Sequence, residues 1–202
     1  MQCATDPPPK RAILRAAEIL RDGGIIAYPT DTAYGLGCDL LNHRAVDRLY
    51  SIKKRNRRKP FSFVCADLND IARYAQVDSV AFRLLKRLLP GPYTFVLHAT
   101  QVVPRHIMPQ RRTVGLRIPD HPVPQLLVRE LGNPIISTTA CRDGEAPLND
   151  PEEIELAFRG CVDAVLDGGI LPPERISSVI SLLDSQPEVL REGIGDCSFF
   201  RE

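Results

Sequence analysis

Apolar residues recur along the chain with two periods. Over residues 10–22, KRAILRAAEILRD, Ile13, Ala16, Ala17 and Leu20 fall on one stripe, the spacing of an amphipathic helix. Gly23-Gly24 stops it, and GIIAYPT at 24–30 follows as a short buried strand. Residues 43–54 form the next predicted helix, with Asn42 as N-cap and Val46, Leu49 and Ile52 turned inward. FSFVC at 61–65 is a strand, 78–89 a helix ended by Pro90-Gly91-Pro92, and YTFVLHA at 93–99 a strand. RTVGLRIP (112–119) and NPIISTTA (133–140) read as strands around a helix at 123–131. Asp150-Pro151-Glu152-Glu153 starts a further helix, with a capping acid, a proline in the first turn and acids at the positive dipole end. VDAVLDGG, SSVISLL and EVLREG are three late strand candidates.

Alternation of this kind predicts a three-layer α/β domain. The close spacing of the late strands implies antiparallel pairing among them, so the sheet is expected to be mixed.

With 202 residues the chain suits one domain or two small ones. No repeat, linker or boundary divides it, so a single domain over 1–202 is expected, with a core from about 10 to 195. A hydrophobic content of 44% with 25% charge excludes collagen-like, disordered and membrane classes. No apolar run approaches the roughly 20 residues of a membrane helix, and the N-terminus has no apolar signal region. Six scattered cysteines without a CxxC pair read as reduced thiols, so a cytoplasmic location is expected.

Net charge is only +1, so charge distribution says more than its total. Six of the seven residues of KKRNRRK, 53–59, are basic. Such a run is ordinarily solvated surface, or else a phosphate-binding feature.

Candidate chemistry gathers where predicted strands and helices end, the places where α/β folds put their sites. One group is Thr30, Asp31, Thr32 and Tyr34. A second is Lys53 with Arg55. A third is Ser137, Thr138 and Thr139. Arg117 and Arg191 sit within apolar strands, and a buried arginine needs an anion or carboxylate beside it. Hydroxyls, glycine backbone and cations without a nucleophile–base pair suit a polyanion that is held and polarised, as in phosphoryl or nucleotidyl transfer. No GxxxxGK[ST] loop and no complete GxGxxG is present. His43, His98, His106 and His121 have no metal-ligand spacing, and no metal site is assigned.

YPTDTAYGLG, then IKKRNRRKP, VGLRIPDHP and LREG, resemble in that order the YrdC/YciO family of threonylcarbamoyl-AMP synthases. The resemblance runs from about Gly23 to Gly193 and implies a mixed α/β fold with a concave, positively lined cavity. It implies an enzyme joining L-threonine, bicarbonate and ATP into threonylcarbamoyl-AMP and pyrophosphate, with Mg²⁺ bridging phosphates, for modification of tRNA. By matching position, Thr32 would touch threonine, and Lys53 and Arg55 would neutralise phosphate oxygens. Lys59, Thr113 and Arg191 would face the nucleotide, and Arg117 would pair with the threonine carboxylate or the carbamate.

The chain departs from the family at three places. A family T-S-A-N stretch is here Thr138-Thr139-Ala140-Cys141, Val64 stands where a histidine is frequent, and Pro147 stands where a serine is. These exchanges resemble the YciO branch, so a diverged activity on threonylcarbamoyl adenylate or modified tRNA is the alternative. A third reading, from another class, is a non-catalytic double-stranded RNA-binding module that uses the basic run. It predicts equal weight on Arg55, Arg57 and Arg58 and steep salt dependence.

Overall fold

The computed structural model describes residues 1–54, 60–107, 112–142, 144–173, 175–184 and 186–200. The first stripe forms α1 (Lys10–Arg21), which buries Ile13, Ala16, Ala17 and Leu20 as predicted. The chain leaves it through Gly23, whose φ of 85° lies where a side chain would be strained. Strand β1 (Ile25–Tyr28) ends two residues short of the predicted segment. It reverses into β2 (Gly35–Asp39), an antiparallel partner. The apolar pattern predicts no strand there, because two glycines in five residues weaken the signal.

Helix α2 (His43–Ile52) is capped by Asn42, whose side chain accepts from Ala45 N–H. After β3 (Ser62–Val64) comes α3 (Leu68–Tyr74), too short to show a helical period in the sequence. Its start is nonetheless chemically marked: Asp67 accepts from the N–H groups of Asn69 and Asp70. The remaining elements are α4 (Ser79–Leu88), β4 (Tyr93–His98), β5 (Thr113–Arg117), α5 (Pro122–Leu131), β6 (Ile135–Thr139), α6 (Pro151–Ala157), β7 (Ala164–Val165), β8 (Ser178–Ser181) and β9 (Glu188–Arg191). They match the predicted segments within a few residues at each end.

The strands form one twisted sheet in the order β7-β1-β2-β6-β3-β5-β4-β8-β9. Pairing is parallel at β1/β7, β3/β5 and β4/β8 and antiparallel elsewhere, so the sheet is mixed as expected.

Side-chain alternation gives the two faces different fates. Leu36, Phe63, Phe95, Leu97, Val114, Leu116, Ile136 and Ile180 point to one face and pack with Val46 and Leu49 of α2, Ile71 of α3, Leu85 of α4 and Ile154 of α6. On the other face Ile26, Tyr28, Val64 and Ile135 pack under α1 and α5. Those two helices cover only part of that face. Beyond them the outward positions of β6, β3, β5 and β4 are mostly small or polar: Ser137 and Thr139, Ser62, Gly115 and Arg117, Thr94, with Val96 the apolar exception. Among the described residues no helix covers this stretch, where the side chains have little apolar surface to bury.

Candidate active site

The uncovered part of the sheet is a cavity of about 250 Å³. Its floor follows one register across the strands: Ser137 opposite Ser62, Ser62 opposite Gly115, Gly115 opposite Val96. Small residues keep that row low. A Cβ on Gly115 would lie 3.2 Å from Ser62 Oγ and 3.4 Å from Thr94 Cγ2.

Thr30, Thr32, Tyr34, Thr113, Arg117, Ser137, Thr139 and Arg191, all selected from the sequence, line this cavity together. They come from segments up to 161 positions apart (191 minus 30). Ser62, Thr94, Gly115 and Ser177 also line it, unforeseen. In Ser62-Phe63-Val64 and Thr94-Phe95-Val96 the polar residue shares a face with the valine while phenylalanine takes the core, an alternation that marks a site only once the register to Gly115 is known.

Arg117 is held from β1's following loop. Its Nη2 donates to Asp31 Oδ1 at 2.5 Å and to Thr32 Oγ1 at 2.7 Å. The side chains of Arg117 and Asp31 are only 13% and 11% exposed, so the pair is well shielded. The expected carboxylate beside Arg117 is therefore supplied by the protein itself.

The hydroxyl directions at this end follow by elimination. Thr30 Oγ1 donates to Ala33 O at 2.7 Å, which uses its hydrogen. In the 3.1 Å contact between Thr30 and Thr32 the donor is then Thr32. Thr32 accepts from Arg117 and gives its hydrogen to Thr30, so what it retains for a ligand is a lone pair.

Across the cavity Arg191 donates from Nε and Nη2 to Ser177 O, at 3.1 and 2.8 Å, and from Nη2 to Ser177 Oγ at 3.0 Å. Ser177 Oγ is also 3.0 Å from Thr94 Oγ1. Tyr28 reaches the floor from the side, across the glycines of β2, its hydroxyl donating to Ser137 Oγ at 2.6 Å, and burial pushes that phenol up to about 12.

Four of the sequence-selected residues stand differently. Tyr34 lines the cavity, but its hydroxyl is committed elsewhere: it accepts from Gly168 N–H at 2.9 Å and donates to Gly169 O at 2.8 Å. Burial pushes this phenol up to about 12 as well. That hydroxyl ties down the loop after β7. Lys53 is buried at the C-cap of α2 and does not line the cavity. Its ammonium donates to Thr139 O at 3.2 Å, to Cys141 O, and to Cys141 Sγ at 3.1 Å. It therefore stands just behind Thr139, at the β6 end of the wall. Arg55 and Lys59, with most of the basic run, lie outside the described residues.

Among the described residues no group of three or more histidine, cysteine or acidic side chains is placed to hold a metal ion. Among the described residues the lining carries hydroxyls and two guanidiniums and no carboxylate. A divalent ion fits this donor set only as a passenger on a ligand's phosphates. No helix among the described residues is long and apolar enough to cross a membrane.

Against known proteins, the model of the Sua5/YciO/YrdC family, described as telomere recombination, matches residues 18–193. The chain is 42% identical over 197 residues to the uncharacterized protein YciO of Escherichia coli K12, covering 96% of this chain and 95% of that one. A crystal structure of E. coli YciO superposes with a TM-score of 0.92 at 40% identity, covering 99% of this chain and 97% of the other. The threonylcarbamoyl-AMP synthase of Coxiella burnetii (strain RSA 493) is 34% identical over 182 residues, covering 90% and 97% of the two chains. P. abyssi Sua5 complexed with L-threonine superposes with a TM-score of 0.87 at 32% identity. That match covers 92% of this chain and 55% of Sua5.

Proposed function

The chain belongs to the Sua5/YciO/YrdC family, and from that premise we propose that it joins L-threonine, bicarbonate and ATP into threonylcarbamoyl-AMP and pyrophosphate, for adenosine modification in tRNA. The observation that carries this reading is the convergence of Arg117, Arg191 and a ring of hydroxyls from distant segments on one cavity. The L-threonine of the Sua5 complex and the synthase named above support the choice of substrate.

The chemistry asks little covalent work of the protein. The threonine amine and bicarbonate give a carbamate with loss of water. A carbamate oxygen then bonds to the α-phosphorus of ATP as the bond to pyrophosphate breaks. The cavity positions the partners and opposes charge, which is where such a reaction gains most of its rate. Thr32, with a lone pair left to offer, suits the amine or the side-chain hydroxyl of threonine. Arg117 beside it suits the carboxylate or carbamate, and Arg191, Thr113 and Thr94 suit the nucleotide end. Mg²⁺, when it accompanies ATP, would be held by the phosphates and offset their charge.

A second reading has its own observation. Lys53, matching a phosphate-binding lysine of the family, is bound back by Thr139 and by Cys141, the residue that replaces the family's asparagine. With that lysine withdrawn, the pocket suits a related adenylate or a modified nucleoside in place of ATP turnover. Incubation with ATP, bicarbonate and L-threonine, read by pyrophosphate release and by mass spectrometry of the mixed anhydride, separates the two. Product supports the synthase. Tight binding of threonylcarbamoyl-AMP without its formation supports the diverged activity.

A further inference from the structure

We propose that Tyr28 is a positioning residue of this cavity: lying across Gly35 and Gly37, it gives its hydroxyl hydrogen to Ser137 and thereby commits Ser137 to donate its own hydrogen to a negatively charged oxygen of the ligand. The inference deepens the reading of the cavity as an anion site and rests on it.

The geometry starts with the two glycines of β2. Tyr28 closes β1 with its Cα opposite Gly35. A Cβ on Gly35 would lie 3.1 Å from both Tyr28 Cζ and Ser137 Oγ and 3.2 Å from Tyr28 Oη. A Cβ on Gly37 would lie 2.9 Å from Tyr28 Cε1. The ring therefore occupies the space that side chains of β2 would fill. It passes over that strand and delivers its hydroxyl to β6, the strand beyond. Any larger residue at 35 or 37 would push it off this course.

The direction of the hydrogen bond follows from what each oxygen can do. Tyr28 is completely buried, and among the described residues Ser137 Oγ is the acceptor its hydrogen reaches. Reversing the bond would leave that hydrogen buried without an acceptor, which is costly. Burial also keeps the phenol protonated across the physiological range. Ser137 has one hydrogen and two lone pairs, and one lone pair is now filled. Its hydrogen is left for the cavity it lines. Thr32, at the Arg117 end, is wired the opposite way and offers a lone pair. The wall thus distinguishes an acceptor oxygen over Ser137 from a donor group over Thr32. Tyr28 touches no ligand and acts only through Ser137.

The experiment is a double-mutant cycle with Tyr28→Phe, Ser137→Ala and both together, reading ATP and L-threonine affinity separately by calorimetry and turnover by pyrophosphate release. Tyr28→Phe is expected to weaken the ligand over Ser137 about five- to tenfold, and Ser137→Ala by a similar factor. The double variant should be no worse than Ser137→Ala, with unchanged circular dichroism throughout. Additive losses, or a Tyr28→Phe protein that binds normally while Ser137→Ala does not, would overturn the proposal. Should Tyr28→Phe not fold, Gly35→Ala crowds the same contact and is expected to show the same loss of affinity. If the wild-type protein binds neither compound, the synthase reading fails. Neutron diffraction of the wild type then decides the Tyr28 proposal alone: a Ser137 hydrogen directed into the cavity sustains it, and one directed at Tyr28 ends it.

Discussion

The guanidinium of Arg117 and the carboxylate of Asp31 meet through one nitrogen and one oxygen, leaving Arg117 Nε and Asp31 Oδ2 buried without a hydrogen-bond partner among the described residues. A fork-to-fork pair would use both atoms of each. This one-toothed pair holds the arginine in the wall while keeping part of its donor capacity unspent. Asp31→Ala removes the internal counter-ion from a well-shielded cation. We expect a stability loss of about 2 kcal/mol in urea denaturation, below the range for fully buried pairs because some solvent reaches the site. The same variant should bind pyrophosphate more tightly than the wild type, since its guanidinium is free to take an external anion. Calorimetry with pyrophosphate checks this, and weaker binding would mean that Asp31 is needed to aim the arginine.

Cys141 bears on Lys53 in a way that a single substitution can read. Its thiol lies 3.1 Å from the ammonium, where an asparagine would present an amide able to donate and accept strongly. One good polar contact is worth about 1–3 kcal/mol when the alternative is a weak one. Cys141→Asn is therefore expected to raise adenylate formation by roughly tenfold, corresponding to the low end of that range. An unchanged rate of pyrophosphate release would show that the thiol is not what limits the reaction.

Tyr34 separates a structural hydroxyl from a ligand-binding one. Tyr34→Phe leaves Gly168 N–H and Gly169 O without the group that joins them. The expected cost is about 1–3 kcal/mol of stability, the range for leaving buried polar groups unpaired. ATP and threonine affinity should stay as in the wild type, because the ring remains and its hydroxyl is committed to Gly168 and Gly169. A fall in affinity without a fall in melting temperature would return Tyr34 to the binding set.

The sheet and most of its helices were legible because their signals are local. The stripe in α1, the caps at Asn42 and Asp150 and the apolar strand segments each need only nearby residues. What escaped depends on neighbours distant in sequence. Strand β2 is held by β1 and β6 and carries glycines that argue against a strand when read alone. The roles of those glycines exist only relative to Tyr28 and Ser137. Among the site residues, hydroxyls and arginines in apolar strands stood out by type. Ser62, Thr94 and Ser177 did not, since a serine or threonine in a strand is ordinary until its register against Gly115 and Arg191 is known. Nor could the sequence tell a hydroxyl that faces the cavity from one, like that of Tyr34, turned onto a loop.

His121 ties the start of α5 to pH. Its Nδ1 accepts from Val123 N–H at 3.2 Å and so caps α5, a role that a proton on that nitrogen would end. Burial lowers the imidazole's pKa from its ordinary value, outweighing the nearby charges of Asp31, Asp120 and Asp6. In the unfolded chain the group titrates near 6.5. Because the folded pKa is the lower one, the unfolded state binds more protons between the two values, and stability rises with pH there. The contribution is complete above about 6.5 and is lost as pH falls through that value toward the folded pKa. His121→Asn keeps a good capping oxygen and removes the titration. Its urea midpoint should track the wild type above pH 7 and fall less steeply between pH 7 and about 5, with the difference between the two curves isolating His121 from the carboxylates that titrate lower. Parallel curves over that interval would mean that the cap is not what the proton disrupts.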